Sequence, residues 1–332
     1  MNPPKVTDIE YIQFLIAAQR VYTCTEAAQC APATPHAPAH DAFVRLLHRQ
    51  PPDTAALWQE VRPYVRPTTG LLVLDDTTLD KPYARNIELV TRHWSGKHHQ
   101  VVAGINLLTV VWTDGTATLP CDCRVYDKPL PNGQTKNEHF RAMLTTAKAR
   151  GFAPQFVCFD SWYSSVENLK AVRGHGWHFL TRLKHNRLVN PDGHGNVPLS
   201  TVTIPAPGRQ VHLKGFGMIL VFRIVAPDGD TEYWATNHLT MHAIERASLA
   251  RQCWTIETYH RGLKQCCGAE RAQVRKARAQ WYHIVLAVRA FVRLEIHRLR
   301  TGRHWYTTKT MLVREAIRHY LSHPTVVLDA TA

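Results

Sequence analysis

The rhythm of apolar positions changes twice along the chain. In "TDIEYIQFLIAAQRV", residues 7–21, apolar side chains recur at helical spacing behind Thr7 and Asp8, which suit an N-cap. "HDAFVRLLHRQ", residues 40–50, repeats the amphipathic pattern, and the Pro- and Ala-rich "CAPATPHAPAH" joins the two. Residues 1–66 are expected to form a helical N-terminal domain, either a helix-turn-helix DNA reader or a packing cap.

From Leu71 the period shortens. "LLVLD" is a short apolar strand that delivers Asp75 and Asp76 into a pair of threonines. "HHQVVAGINLLTVVW" and "TATLPCDCRVYD" are β-rich runs divided by the turn "TDGT", the pattern of an antiparallel meander. "TKNEHFRAMLTTAKARG" predicts a helix with Thr135 as its cap, Glu138 three residues on, and Gly151 as its stop. "QFVCFD" is another apolar strand ending in an acid, Asp160; "SSVENLKAVRGHG" reads as a helix and "HFLTRL" as a strand. Three strands, helix, strand, helix, strand is the order of the ribonuclease-H-like fold. Its first and fourth strands lie side by side, so Asp75 and Asp160 would face each other. The fold class expected is therefore α/β, with residues 67–185 as the first part of a ribonuclease-H-like mixed sheet.

Residues 186–240 alternate turn clusters ("NPDGHGN", "PAPG", "APDGD") with β-prone runs ("VHLKGFGMILVFRIV", "EYWATNHL"), which predicts a β-rich insertion. In residues 241–332, "IERASLARQCWTIETYHRGLKQ" is helical, and "WYHIVLAVRAFVRLEIHRLR" is a long helix with an apolar face and Arg and His elsewhere.

Composition places the 332-residue chain among ordinary globular proteins, with 45% hydrophobic and 20% charged residues. Charge changes the picture: 40 Lys+Arg against 26 Asp+Glu give a formal net charge of +14. Such a field favours polyanions, with nucleic acid ahead of anionic membrane surfaces. The best apolar run, Val101 to Trp112, is interrupted by Asn106 and falls far short of the roughly 20 residues a helix needs to cross a bilayer. The N-terminus lacks the basic-then-apolar layout of a signal peptide. Eight cysteines form no CxxC pair, which argues against a zinc ribbon and fits reduced thiols in a cytoplasmic protein. His98 and His99 are adjacent, but no His-x₃-His or Cys/His spacing follows them.

Cutting or joining a phosphodiester requires an activated water or hydroxyl and neutralised charge on the leaving oxygen, which two divalent ions on about three carboxylates supply. The candidate acids are Asp75 (or Asp76), Asp160 and Glu257; acids after strands also serve as turn caps. Arg261 and Lys264 follow Glu257 at four and seven residues, on one helical face, as a salt-bridge ladder or as phosphate holders. Arg271, Arg275, Lys276 and Arg278 in "ERAQVRKARAQ", and Lys184 and Arg187 in "RLKHNR", are either solvated positions or DNA-backbone contacts. Trp162 and Tyr163 are expected to pack rather than stack on a base, and a lone Trp234 to pack in the core.

Taken together, "LDDTTLDKP", "CFDSWYSSVENLK", "RLKHNR" and "WTIETYHRGLKQCCGAERAQVR" resemble the DDE transposases of bacterial insertion sequences. Within these, the likeness is to the broad group whose β-rich insertion separates the second Asp from the Glu, and it covers most of residues 70–295. The resemblance implies a ribonuclease-H-like core using two Mg²⁺ (or Mn²⁺) ions. It implies double-stranded DNA as partner (terminal inverted repeats and target), a homodimer in the active complex, and a cytoplasmic, nucleoid-associated location. Such enzymes cut DNA at the element ends and join the 3′ hydroxyls to a target. Asp75 matches the first metal-binding acid in a D-x-T register, or Asp76 in a D-T-T register; Asp160 matches the second and Glu257 the third. The group's signature is Tyr, two residues, Arg, three residues, Glu, six residues, Lys. Glu257 and Lys264 fit it, while Ala250 and Cys253 stand where Tyr and Arg belong. The resemblance implies phosphate contact by Lys264, with Arg261 as the stand-in for the missing Arg. It also implies a stacking role for Trp234 on a base flipped from a DNA hairpin, as in some members of the group. Two rivals remain at this level: a ribonuclease-H-like nuclease without strand transfer, and an inactive or domesticated transposase that regulates by binding DNA.

Overall fold

A computed structural model describes residues 4–49, 51–52, 54–95, 99–127, 133–226 and 229–326. Four helices open the chain: α1 (Asp8–Ala17), α2 (Cys24–Gln29), α3 (His40–Arg49) and α4 (Thr54–Val61). Thr7 and Glu10 close a reciprocal capping box on α1. The short α2, capped by Thr23, is not announced by the apolar pattern. Strands β1 (Leu71–Asp80), β2 (Thr91–Ser95), β3 (Gln100–Thr113) and β4 (Thr118–Tyr126) follow, then α5 (Lys136–Ala149), β5 (Phe156–Phe159), α6 (Val166–Gly174) and β6 (His178–Leu183). Thr135 and Glu138 form the expected box on α5. The region read as an insertion supplies β7 (Leu188–Asn190), β8 (Val197–Pro198), β9 (Arg209–Leu213), β10 (Gly217–Val225) and β11 (Thr231–Thr236). Helices α7 (Ala243–Cys253), α8 (Thr255–Cys267), α9 (Ala277–Thr301) and α10 (Trp305–Ser322) complete the described chain.

All eleven strands join one sheet in the order β2-β3-β1-β5-β6-β11-β10-β9-β7-β8, with β4 also on β3. The pairs β1–β5 and β5–β6 are parallel and the others antiparallel, so this is the mixed sheet expected of a ribonuclease-H-like core. Both central parallel strands are apolar on both faces: Leu71–Leu74 and Phe156–Phe159 are buried throughout. The β-rich region extends this sheet, because β11 docks edge-on against β6.

Three local readings are corrected. First, β1 does not stop at the acids. It continues to Asp80 against β3, since the antiparallel ladder runs on after the parallel one to β5 has ended at Leu74–Phe159. Second, the β-prone run "VHLKGFGMILVFRIV" is divided into a hairpin: Gly215 (φ +80°) and Gly217 (φ +121°) turn the chain between β9 and β10 in a backbone region that favours glycine. Third, the helix containing Glu257 is interrupted at Trp254, so α7 and α8 are separate elements.

The chain separates into two compact units. One comprises residues 54–84 and 89–260 and holds the sheet with α4 to α7. The other comprises residues 1–53, 85–88 and 261–332. In this second unit α1 packs on α9 through buried polar links: Arg289 and the Tyr282 hydroxyl both donate to Asp8, and the Tyr11 hydroxyl meets His283 Nδ1 at 3.0 Å. Lys309 donates to the carbonyls of Ala18 and Cys266, tying α10 to segments nearly 300 and 43 residues away in sequence. Helix α8 passes from one unit into the other between His260 and Arg261.

Candidate active site

The register of four adjacent strands builds the site. Leu74 of β1 pairs with Phe159 of β5, and Phe159 pairs with Thr181 of β6. One step further along each chain come Asp75, Asp160 and Arg182, and β11 sets Trp234 opposite Arg182. Asp75, Asp160, Arg182 and Trp234 therefore form one lateral row, on one face because side chains alternate across a pleated sheet. All four line a single cavity of about 200 Å³, together with Glu232 and with Glu257 from the first turn of α8.

The acids differ in environment. Asp75 is half-buried, and burial raises its carboxyl well above the usual carboxylate range, with the negative charges of Asp76, Asp160 and Glu257 adding to the shift. Burial also raises Asp160, followed by the charge of Asp76; the N–H groups of Trp162 and Tyr163 and the guanidinium of Arg182 oppose this. Asp160 Oδ1 accepts the Trp162 N–H at 3.0 Å, so this acid also caps the turn Ser161–Tyr163. Glu257 is solvent-exposed on the cavity wall.

Asp76 points to the opposite face and is saturated there. Its carboxylate accepts from Asn106 Nδ2 at 2.6 Å, from Lys136 Nζ at 2.8 Å and from the Tyr163 hydroxyl. Burial pushes its pKa up, but the Lys136 charge and these hydrogen bonds hold it below the usual range. Asn106, the polar break in the apolar run of β3, has here its physical reason. Lys136, Tyr163 and Asn106 carry no mark in sequence that links them to Asp76; only the fold brings them together.

The remaining candidates fall in several places. Trp234 is half-exposed in the cavity, not in the core: its indole N–H donates to Glu232 Oε2 at 2.8 Å, and the Arg182 guanidinium lies 5.8 Å from its ring centroid. Trp162 is 60% exposed, contrary to the packing expected of it, while Tyr163 is buried and stacked on Phe140. Ala250 and Cys253, at the signature's Tyr and Arg positions, do line the cavity, and the Cys253 thiol shares a hydrogen bond with Cys158 of β5. Arg261 and Lys264 lie further along α8, in the part that belongs to the second unit, with Arg261 exposed and Lys264 half-buried. Arg271 and Arg275 sit in the connection between α8 and α9, not on a helical face, and Arg278 lies in the first turn of α9, donating to the carbonyl of Arg49 at 3.0 Å. All three are exposed. The paired histidines reduce to His99, since His98 lies outside the described residues.

A mixed sheet of this order, with acids just beyond the parallel pairing of β1 and β5, is the ribonuclease-H-like arrangement. The chain belongs to the DDE superfamily endonucleases, whose family profile matches residues 7–218, a span that includes Asp75 and Asp160 and stops short of Glu257. Its structure is similar to that of a piggyBac transposase in a synaptic complex with hairpin DNA, with a TM-score of 0.54 and 9% identity over 98% of this chain and 74% of that one. At that identity the likeness concerns the fold. No curated protein sequence matches the chain. Among the described residues no helix is long and apolar enough to cross a membrane.

Among the described residues no three His, Cys, Asp or Glu side chains stand as a ready-made metal-binding group. The donor chemistry nonetheless fits a hard divalent cation. Asp75, Asp160 and Glu257 offer only carboxylate oxygens to one cavity, the ligand type such ions prefer.

Proposed function

We propose that this protein is a DDE transposase of an insertion sequence, which binds the terminal inverted repeats of its element, cuts at their ends and joins the 3′ hydroxyls to target DNA. The observation that carries the reading is the row of Asp75 and Asp160 across β1 and β5, in one cavity with Glu257. Asp75, Asp160 and Glu257 would hold two Mg²⁺ or Mn²⁺ ions. When bound, such ions supply Lewis-acid charge for an in-line displacement and lower the pKa of the attacking water or 3′ hydroxyl. The protein's part is to fix those carboxylates. The buried strands β1 and β5 set the first two in register, and Asp76, held by Lys136, Tyr163 and Asn106, locks β1 against turning over.

DNA is the polyanion that a net charge of +14 favours. Lys264 and Arg261 on the Glu257 helix, and Arg271, Arg275 and Arg278 after it, are assigned as phosphate-backbone contacts, and Trp234 as the base-stacking side chain. The active complex is a homodimer that brings two element ends together, in the cytoplasm with the nucleoid. The test incubates the protein with duplexes carrying its flanking genomic ends, Mg²⁺ and a target plasmid. Strand-transfer products are expected; nicking without joining would leave a nuclease. Inverted-repeat binding that is unchanged in Glu257→Gln, with no Mg²⁺-dependent cleavage by the parent, would mark a DNA-binding regulator. Ala250 and Cys253 in the signature positions make that last outcome a live alternative.

A further inference from the structure

Of the described residues lining the cavity, Arg182 is the one cation. It sits in the row with Asp75 and Asp160, one strand over from Asp160, and Arg182 Nη1 meets Glu232 Oε1 at 2.7 Å. The second oxygen of Glu232 takes the indole N–H of Trp234. Glu232 and Trp234 are two apart on β11, so both project on the face that Arg182 occupies on β6. One carboxylate thus spans the two groups of the wall that could meet a nucleic acid: a guanidinium, with its planar fork of donors, and an aromatic face.

We propose that Glu232 is a positioning residue, which holds Arg182 and Trp234 in the cavity so that Arg182 binds a backbone phosphate of the strand entering beside Asp160. The inference deepens the transposase reading and rests on it. It gives the cavity the cation that the signature would supply at Cys253, from β6 rather than from α7. The side chains of Arg182 and Glu232 are 44% and 37% exposed, so the guanidinium is reachable from solvent while Nη1 stays on Glu232. Left to itself, such a half-exposed ion pair contributes little to stability. A carboxylate at a DNA-binding surface also opposes polyanion binding, so its presence calls for a role other than charge.

That opposition supplies the test. Binding of an end-bearing duplex is measured by fluorescence anisotropy in EDTA at several salt concentrations, and cleavage kcat and KM in Mg²⁺. The variants are Arg182→Ala, Glu232→Ala, Glu232→Gln and Arg182→Ala/Glu232→Ala, with thermal midpoints as a folding control. Arg182→Ala is expected to weaken binding about tenfold and to reduce the salt slope by about 0.9, the loss of one phosphate contact. Glu232→Ala is expected to weaken binding and lower kcat although it removes a negative charge. Glu232→Gln, which keeps an acceptor for Trp234, should lose less, and the double variant less than the sum of the two single losses. Tighter binding in Glu232→Ala, or additive losses in the double variant, would overturn the inference while leaving a cleaving parent intact. A parent that neither binds nor cleaves would overturn the transposase reading, and this inference with it.

Discussion

Asp75 and Asp76 are adjacent, yet β1 turns them to opposite faces and into different surroundings. Sequence left the two registers open, because a D-D-T-T string fits both. What separates them is the set of partners from β3, α5 and the turn after β5, none of which is near in sequence. Replacing Asp76 by Asn should cost about 2 kcal/mol, because Lys136 loses its buried counter-charge. Urea melts of Asp76→Asn against the parent measure this, and an unchanged midpoint contradicts it. The same blindness hid Arg182 and Glu232: "HFLTRL" and "EYWATNHL" read as plain β-runs, and only the pairing of β6 with β5 and of β11 with β6 brings them to the acids. Asp160 was legible because an apolar run ending in an acid marks where a buried strand gives out. It caps a turn, as acids after strands do, and lines the cavity with Asp75 as well.

At the scale of elements, caps and apolar runs carried most of the legible structure. Thr7 caps α1, Thr135 and Glu138 form a box where their spacing indicates, and β3 to β6 and α9 lie where their periodicity puts them. The misses have local causes. The one-residue interruption at Trp254 falls in a stretch whose helical propensity is continuous, and the β9–β10 hairpin is encoded by two glycines inside a run of β-formers. Glycine also sets a packing limit within the unit containing the C-terminal helices. A Cβ on Gly262 of α8 would come within 2.8 Å of the rings of Phe291 and Trp305. Gly262→Ala is therefore expected to destabilise that unit by about 1–3 kcal/mol, despite alanine's better helix propensity. A thermal midpoint at or above the parent's would contradict it.

At the scale of the whole molecule, pH and salt are the accessible variables. Burial lowers the pKa of His139, His175 and His178 below 6.5, with further lowering by Arg124, Lys148 and His238 respectively. A base whose folded pKa is depressed takes up its proton more readily when unfolded. The stability it contributes is present above 6.5 and is lost as pH falls from there through the folded values. The thermal midpoint should therefore fall between about pH 7 and about pH 5, and His178→Gln should flatten part of that slope. An equal slope in the variant contradicts the assignment. The +14 charge makes a separate forecast: replacing Arg271, Arg275 and Arg278 together by Ala should weaken binding to all duplexes alike and reduce the salt slope by up to about 2.7. The assembly of one unit from three discontinuous segments was not legible, because the contacts that join residues 1–53 to residues 261–332 lie in side-chain pairs such as Tyr11–His283.

The most direct measurement of the central claim is Mg²⁺-dependent nicking of an end-bearing duplex by the parent and by Asp75→Asn, Asp76→Asn, Asp160→Asn and Glu257→Gln, with each rate corrected for folded fraction. The row of acids predicts nicking by the parent, losses on the order of a thousandfold in Asp75→Asn, Asp160→Asn and Glu257→Gln, and retained activity in folded Asp76→Asn. Nicking by Asp160→Asn at the parent's rate, or none by the parent itself, would contradict it.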